Sequence, residues 1–219
     1  MEYIKVTLYE GGKPDTVHGV RYIRNPDNTF KLPNIIAQDI LNMDPVPGII
    51  GIDLPGYLLQ DHRISRELIY TVARLTGYPV LYIPKRTAFK PFRNILMPVT
   101  GTQVGENEFQ KFSPLLKCFN SNIYLLRVNL TQEAYITGNE NAGFKKQKKY
   151  LLDNTLQVKS VCINHQNEAE TILAYASIIQ ADLIFNSLNI GKLPVNEHSN
   201  NTWKFLIQHS KFPLFNYIK

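Results

Sequence analysis

The stretch "NEAETILAYASIIQADLIFNS", residues 167–187, changes its hydrophobic period partway along. Up to Gln180 the apolar residues Ile172, Leu173, Tyr175, Ala176 and Ile179 recur at helical spacing. From Ala181 the pattern becomes a short apolar run, Leu183-Ile184-Phe185, which reads as a buried strand. A helix running straight into a buried strand is the unit from which parallel sheets are built.

The same alternation extends in both directions. "RNILMPV" (93–99) is a nearly continuous apolar run, as expected of a strand covered on both faces. "GENEFQKFSPLLKCF" (105–119) carries a helical stripe at Phe109, Phe112, Leu115, Leu116 and Phe119, with Pro114 marking a kink or a late start. "NIYLLRV" (122–128) is a second strand, followed by a helix around 142–155 and a third strand, "LQVKSVCI" (156–163). After the fourth strand, "ADLIFNS" (181–187), come a helix at 199–210 and a fifth strand at 212–218. Strict alternation with right-handed crossovers predicts an α/β fold: a doubly wound, five-stranded parallel sheet over 93–219.

Residues 1–84 end in the same way. A helix (32–43), a strand (47–53), a helix closing at Gly77 (62–77) and a strand (78–84) follow one another. Gly56 and Pro79 are 23 residues apart, and Gly191 and Pro213 are 22 apart. "GIIGIDLPG" aligns with "DLIFNSLNIG", and "GYPVLYIP" with "KFPLFNYIK", which predicts an internal repeat with 85–92 as linker. The first repeat is truncated, because its opening strand and helix would fall before residue 1. In their place stand two alternating runs, Ile4, Val6, Leu8 and Val17, Val20, Tyr22, around Gly11-Gly12-Lys13-Pro14-Asp15, which read as a hairpin or two edge strands.

Composition narrows the function. The 219 residues are 44% hydrophobic and 19% charged, and no run reaches the roughly 18–20 apolar residues of a membrane span. "MEYIKVTLYEGG" lacks the basic and apolar regions of a signal peptide, so a cytoplasmic protein is expected. Cys118 and Cys162 sit in apolar segments and read as buried free thiols. The net charge of +6 includes "KKQKK" (145–149), which reads as a solvated helix face; no aromatic residues interleave with it, so no nucleic-acid partner is expected. The five histidines show no metal spacing, and neither a Walker A signature nor a nucleophile elbow is present. Asp15, Asp53, Asp61 and Asp182 could meet only through the fold. Trp203 reads as a core or interface residue. Catalysis has no positive support.

These segments, in this order, resemble the universal stress protein family in a tandem arrangement. The resemblance rests on "RNILMPVTGT", "NIYLLRV", "AETILAYASIIQADLIFNS" and "WKFLIQHSKFPLFNYI", and in part on 32–84. ATP-binding members carry Gly, two residues, Gly, nine residues, Gly and Ser or Thr after the fourth strand. Glycines let backbone N–H groups approach phosphate, and the next helix turns its positive end toward it. On this chain that register falls on Leu188, Gly191, Asn201 and Thr202. Gly191 and Thr202 match; Leu188 and Asn201 do not. Ser199, Asn200 and Asn201 are also candidate caps of the last helix. Where the binders have an acidic residue after the first strand, this chain has Thr100, followed by Gly101. In the first repeat Gly56 and Ser65 remain, but half of the crevice is missing.

The resemblance therefore implies a stress-response protein with a degenerate nucleotide site and no cofactor, working through an unknown protein partner or ligand. The alternatives are an ATP- or AMP-binding sensor or weak ATPase, and an unrelated doubly wound enzyme. The family pairs closing strands edge to edge, so "PVLYI" (79–83) and "PLFNYI" (213–218) are expected to pair within the chain as a pseudo-dimer, with a homodimer as a further option.

Overall fold

The computed structural model describes residues 3–9, 17–23, 37–38, 40–42, 49–53, 69, 71–84, 91–99, 116, 119–129, 140–153, 157–188 and 197–218. Its Cα positions divide into two compact units. One comprises 1–88 with 188–194 and 207–219, the other 89–187 with 195–206.

In the second unit β5 (Asn94–Pro98), β6 (Asn122–Asn129), β7 (Gln157–Asn164) and β8 (Leu183–Leu188) lie in the order β8-β5-β6-β7, all parallel. Ile95, Leu96, Met97, Ile123, Leu125, Leu183 and Ile184 are fully buried, which is why these strands read as continuous apolar runs rather than alternating ones. Helices α1 (Glu140–Asp153) and α2 (Glu168–Ile178) cover opposite faces. Gln147 of α1 donates through Nε2 to Met97 Sδ, while Tyr175 of α2 lies close enough to Tyr124 to feel its charge. Met97 stands opposite Leu125 and Leu96 opposite Tyr124, so the two contacts fall on alternate sides of the pleat. The sheet is doubly wound.

A polar clamp ties the strand beginnings together. Asp182 Oδ2 accepts the backbone N–H groups of Arg93 (3.1 Å) and Asn94 (2.9 Å), and Asn122 Nδ2 donates to Asn94 Oδ1 (3.3 Å). Asp182 is thus a strand-end acceptor that joins β8 to β5. Of the expected 105–119 helix, Leu116 is helical and buried; its other stripe positions, except for the turn residue Phe119, lie outside the described residues.

Cys162 departs from expectation. It is exposed, because among the described residues β7 pairs only with β6, and no residue of the strand is fully buried. Its apolar residues Val158, Val161 and Ile163 are only half-buried, as expected of a strand at the edge of the sheet. Cys118 lies outside the described residues. In "KKQKK", Lys145 and Lys149 are exposed, whereas Gln147 turns inward with Leu151, one helical turn further on.

In the first unit the order is β2-β1-β3-β4-β9, formed by β1 (Tyr3–Tyr9), β2 (Val17–Ile23), β3 (Ile49–Asp53), β4 (Val80–Ile83) and β9 (Leu214–Ile218). β1 and β2 form an antiparallel hairpin in which Ile4, Val6 and Leu8 oppose Tyr22, Val20 and His18. Val17 opposes Tyr9 and so belongs to the other face. β1 is not an edge: it also pairs antiparallel with β3, Val6 opposite Ile52 and Leu8 opposite Ile50. β3 and β4 are parallel. The helical residues 71–76 between them end at Gly77, whose φ of +66° and N–H bond to Ala73 O (3.0 Å) close the helix as the sequence predicts. The closing strands β4 and β9 pair antiparallel, Val80 opposite Asn216 and Tyr82 opposite Leu214.

Candidate functional site

Two strands of the second unit define where a ligand could bind. β5 leads through the chain to β6 on one side, while β8 lies on its other side. The connections diverge there, and doubly wound sheets bind ligands outside the carboxyl ends of strands at such a point. Thr100 and Gly101 follow the end of β5, but lie outside the described residues, as does Gly191. Leu188 is the last residue of β8. Asn201 and Thr202 are the fifth and sixth residues of α3 (Glu197–His209).

That last placement corrects the expectation for the helix start. The helix begins two residues before Ser199, so Ser199, Asn200 and Asn201 stand inside it rather than cap it. A helix leaves free only the N–H groups of its first turn. Thr202 lies in the second turn, where backbone N–H groups bond to carbonyls four residues back.

The Thr202 side chain is also engaged. Its Oγ1 donates to Glu168 Oε2 at 2.9 Å, and the two residues are 7% and 6% exposed respectively. Glu168 is the first residue of α2, where a negative charge is favoured by the helix dipole. The helix is capped by Asn167, whose Oδ1 accepts from Glu170 N at 3.2 Å. Sequence reasoning missed Glu168. "NEAE" marks a helix start with acidic residues, but nothing in the sequence ties that start to a threonine 34 positions away.

Other polar groups sit around these elements. Asn129 Nδ2 donates to Asn164 Oδ1 (2.9 Å) at the carboxyl ends of β6 and β7. Trp203 is a core residue, as expected, and its buried indole N–H has no partner among the described residues. Burial, and secondarily the charge of nearby Tyr124, raise the Tyr175 phenol above its ordinary value. Among the described residues no group of three His, Cys, Asp or Glu side chains could hold a metal ion, and no helix is long and apolar enough to cross a membrane.

No family model and no curated protein matches the sequence. The structure, by contrast, is similar to solved universal stress proteins. One from Archaeoglobus fulgidus superposes with a TM-score of 0.62 at 14% identity, over 84% of this chain and 65% of its own. A putative universal stress protein from Pseudomonas aeruginosa gives 0.56 at 14% identity, over 86% of this chain and 68% of its own. A functionally unknown protein from the same species gives 0.54 at 15% identity. The chain therefore has the universal stress protein fold, and spans about two thirds of the length of these neighbours.

Proposed function

We propose that the chain is a tandem universal stress-type protein whose nucleotide loop has degenerated, and that it acts through protein contacts or a ligand other than ATP. The observation that carries this reading is Thr202. It is the one hydroxyl of the phosphate signature that the sequence keeps, and it lies inside α3 donating to a buried carboxylate. Leu188 adds to it, since a residue with a branched side chain stands at the end of β8 where the signature calls for glycine. The antiparallel β1 beside β3 gives the first unit no parallel opening strand, and so no second site of the same kind.

The protein contacts in this reading use a surface other than the closing strands, which already pair with each other. Calorimetric titration with ATP, with and without magnesium, tests the proposal. No saturable binding is expected at micromolar ATP. Micromolar binding that Gly191→Trp abolishes would overturn the reading in favour of a nucleotide sensor.

A further inference from the structure

We propose that the outer edge of β7 is a docking site for an extended acidic segment of a partner protein, which adds to the sheet as a further strand. The inference rests on the reading that the chain works through protein contacts, and goes beyond it by naming the surface and the chemistry of the partner.

Strand β7 ends the sheet order, and among the described residues it pairs only with β6. The bond from His165 N to Asn129 O (3.1 Å) fixes the phase of that parallel ladder, so the odd-numbered residues of β7 bond to β6. Val158, Ser160, Cys162 and Asn164 therefore direct their N–H and C=O groups out of the edge, where another strand can take them. Ser160, Cys162 and Asn164 are exposed.

The two faces of β7 differ. Ser160 stands opposite Leu125, on the side covered by α1, while Lys159 stands opposite Tyr124, on the side of α2. On the α2 side the half-buried Val161 and Ile163 offer apolar surface that an added strand covers. On the α1 side the charge is positive. α1 packs against β7, exposes Lys145 and Lys149, and has no carboxylate between Phe144 and Leu152. β7 itself carries Lys159, held over the Tyr124 ring at 5.4 Å, and no carboxylate. The matching strand has β-branched residues on one face and acidic residues on the other. A second copy of the chain fits poorly. Two-fold pairing of β7 with β7 sets both α1 helices on one side of the joined sheet, where their lysines repel.

The test uses the full chain and a fluorescein-labelled peptide of the length of β7 in which valine alternates with glutamate. A control peptide has lysine in place of glutamate, and anisotropy gives the affinities. Ser160→Pro removes one outward N–H and leaves the bonds to β6 in place. It is expected to weaken binding of the glutamate peptide by about tenfold. Lys145→Glu combined with Lys149→Glu is expected to weaken it as well, and to reduce the loss of affinity that added salt causes in the wild type. The lysine peptide is expected not to bind. Equal binding of both peptides, or unchanged affinity in Ser160→Pro, would overturn the inference. So would an oligonucleotide that binds the wild type and Ser160→Pro alike and displaces the peptide, or a wild-type dimer that Ser160→Pro dissociates. Should Ser160→Pro not fold, the glutamate peptide N-methylated at alternate residues blocks the ladder from the other side; it is expected not to bind, and undiminished binding overturns the proposal. Micromolar ATP binding would overturn the degenerate-loop reading and leave the peptide results to be judged by themselves.

Discussion

The two units open differently. In the second, β5 lies parallel between β8 and β6, so the crevice beyond the carboxyl ends of β5 and β8 is framed as in any doubly wound sheet. In the first, the place beside β3 is taken by β1, which runs antiparallel and returns at once through β2. A hairpin can satisfy the hydrogen bonds of an edge, because pairing is indifferent to the strand's origin. It cannot supply the strand end and turn that shape a ligand crevice. The comparison separates what a sheet needs to be stable from what it needs to bind.

The largest effect is expected from removing 212–219. β4 would lose its partner, and the core would lose the buried Leu214 and Phe215, worth about 2–5 kcal/mol each. That approaches the whole stability of a domain, about 5–15 kcal/mol. The truncated chain is expected to aggregate in size-exclusion chromatography, and a soluble monodisperse product would show that the closing strands are dispensable. Removing 1–23 comes next, since it uncovers β3 along its side toward β1. Loss of solubility is expected; a well-folded product would mean that β3 does not depend on the hairpin for its pairing.

In the second unit Asp182→Ala removes the carboxylate acceptor of the Asn94 N–H, while the Arg93 N–H keeps Pro91 O (2.8 Å), at a cost of about 1 kcal/mol by denaturant titration. Asp182→Asn keeps an acceptor and should recover most of that. Gly77→Ala in the first unit should cost about 1 kcal/mol. An added Cβ meets nothing within 4 Å, so the cost comes from the positive φ alone. The smallest effect concerns alkaline pH. The folded chain holds the Tyr175 proton above the ordinary value of 10.0, so its contribution to stability is complete below that value and falls as pH rises through the raised one. Tyr175→Phe should flatten that part of the melting profile above pH 10.

Most of the second unit was legible because its signals are local. The 3.6-residue stripe of α2 and the apolar runs of β5 and β8 are written in neighbouring residues, as is, in the first unit, the stop at Gly77. Cys162 was misread because an apolar strand looks alike at the centre and at the edge of a sheet; only the order β8-β5-β6-β7 distinguishes them. The stretch 188–202 shows the same limit. Its register against a phosphate signature is a matter of spacing, whereas the fate of Thr202 depends on Glu168, which arrives from another helix.

By itself, then, the sequence determined the α/β alternation and the stop at Gly77, since period and turn chemistry act over a few residues. The tertiary structure alone decided that β1 runs antiparallel beside β3, that β4 meets β9, and that the buried Glu168 carboxylate accepts from Thr202. Those outcomes depend on strand order and on contacts between residues far apart in the chain, where each group takes whichever partner the fold brings within hydrogen-bonding distance.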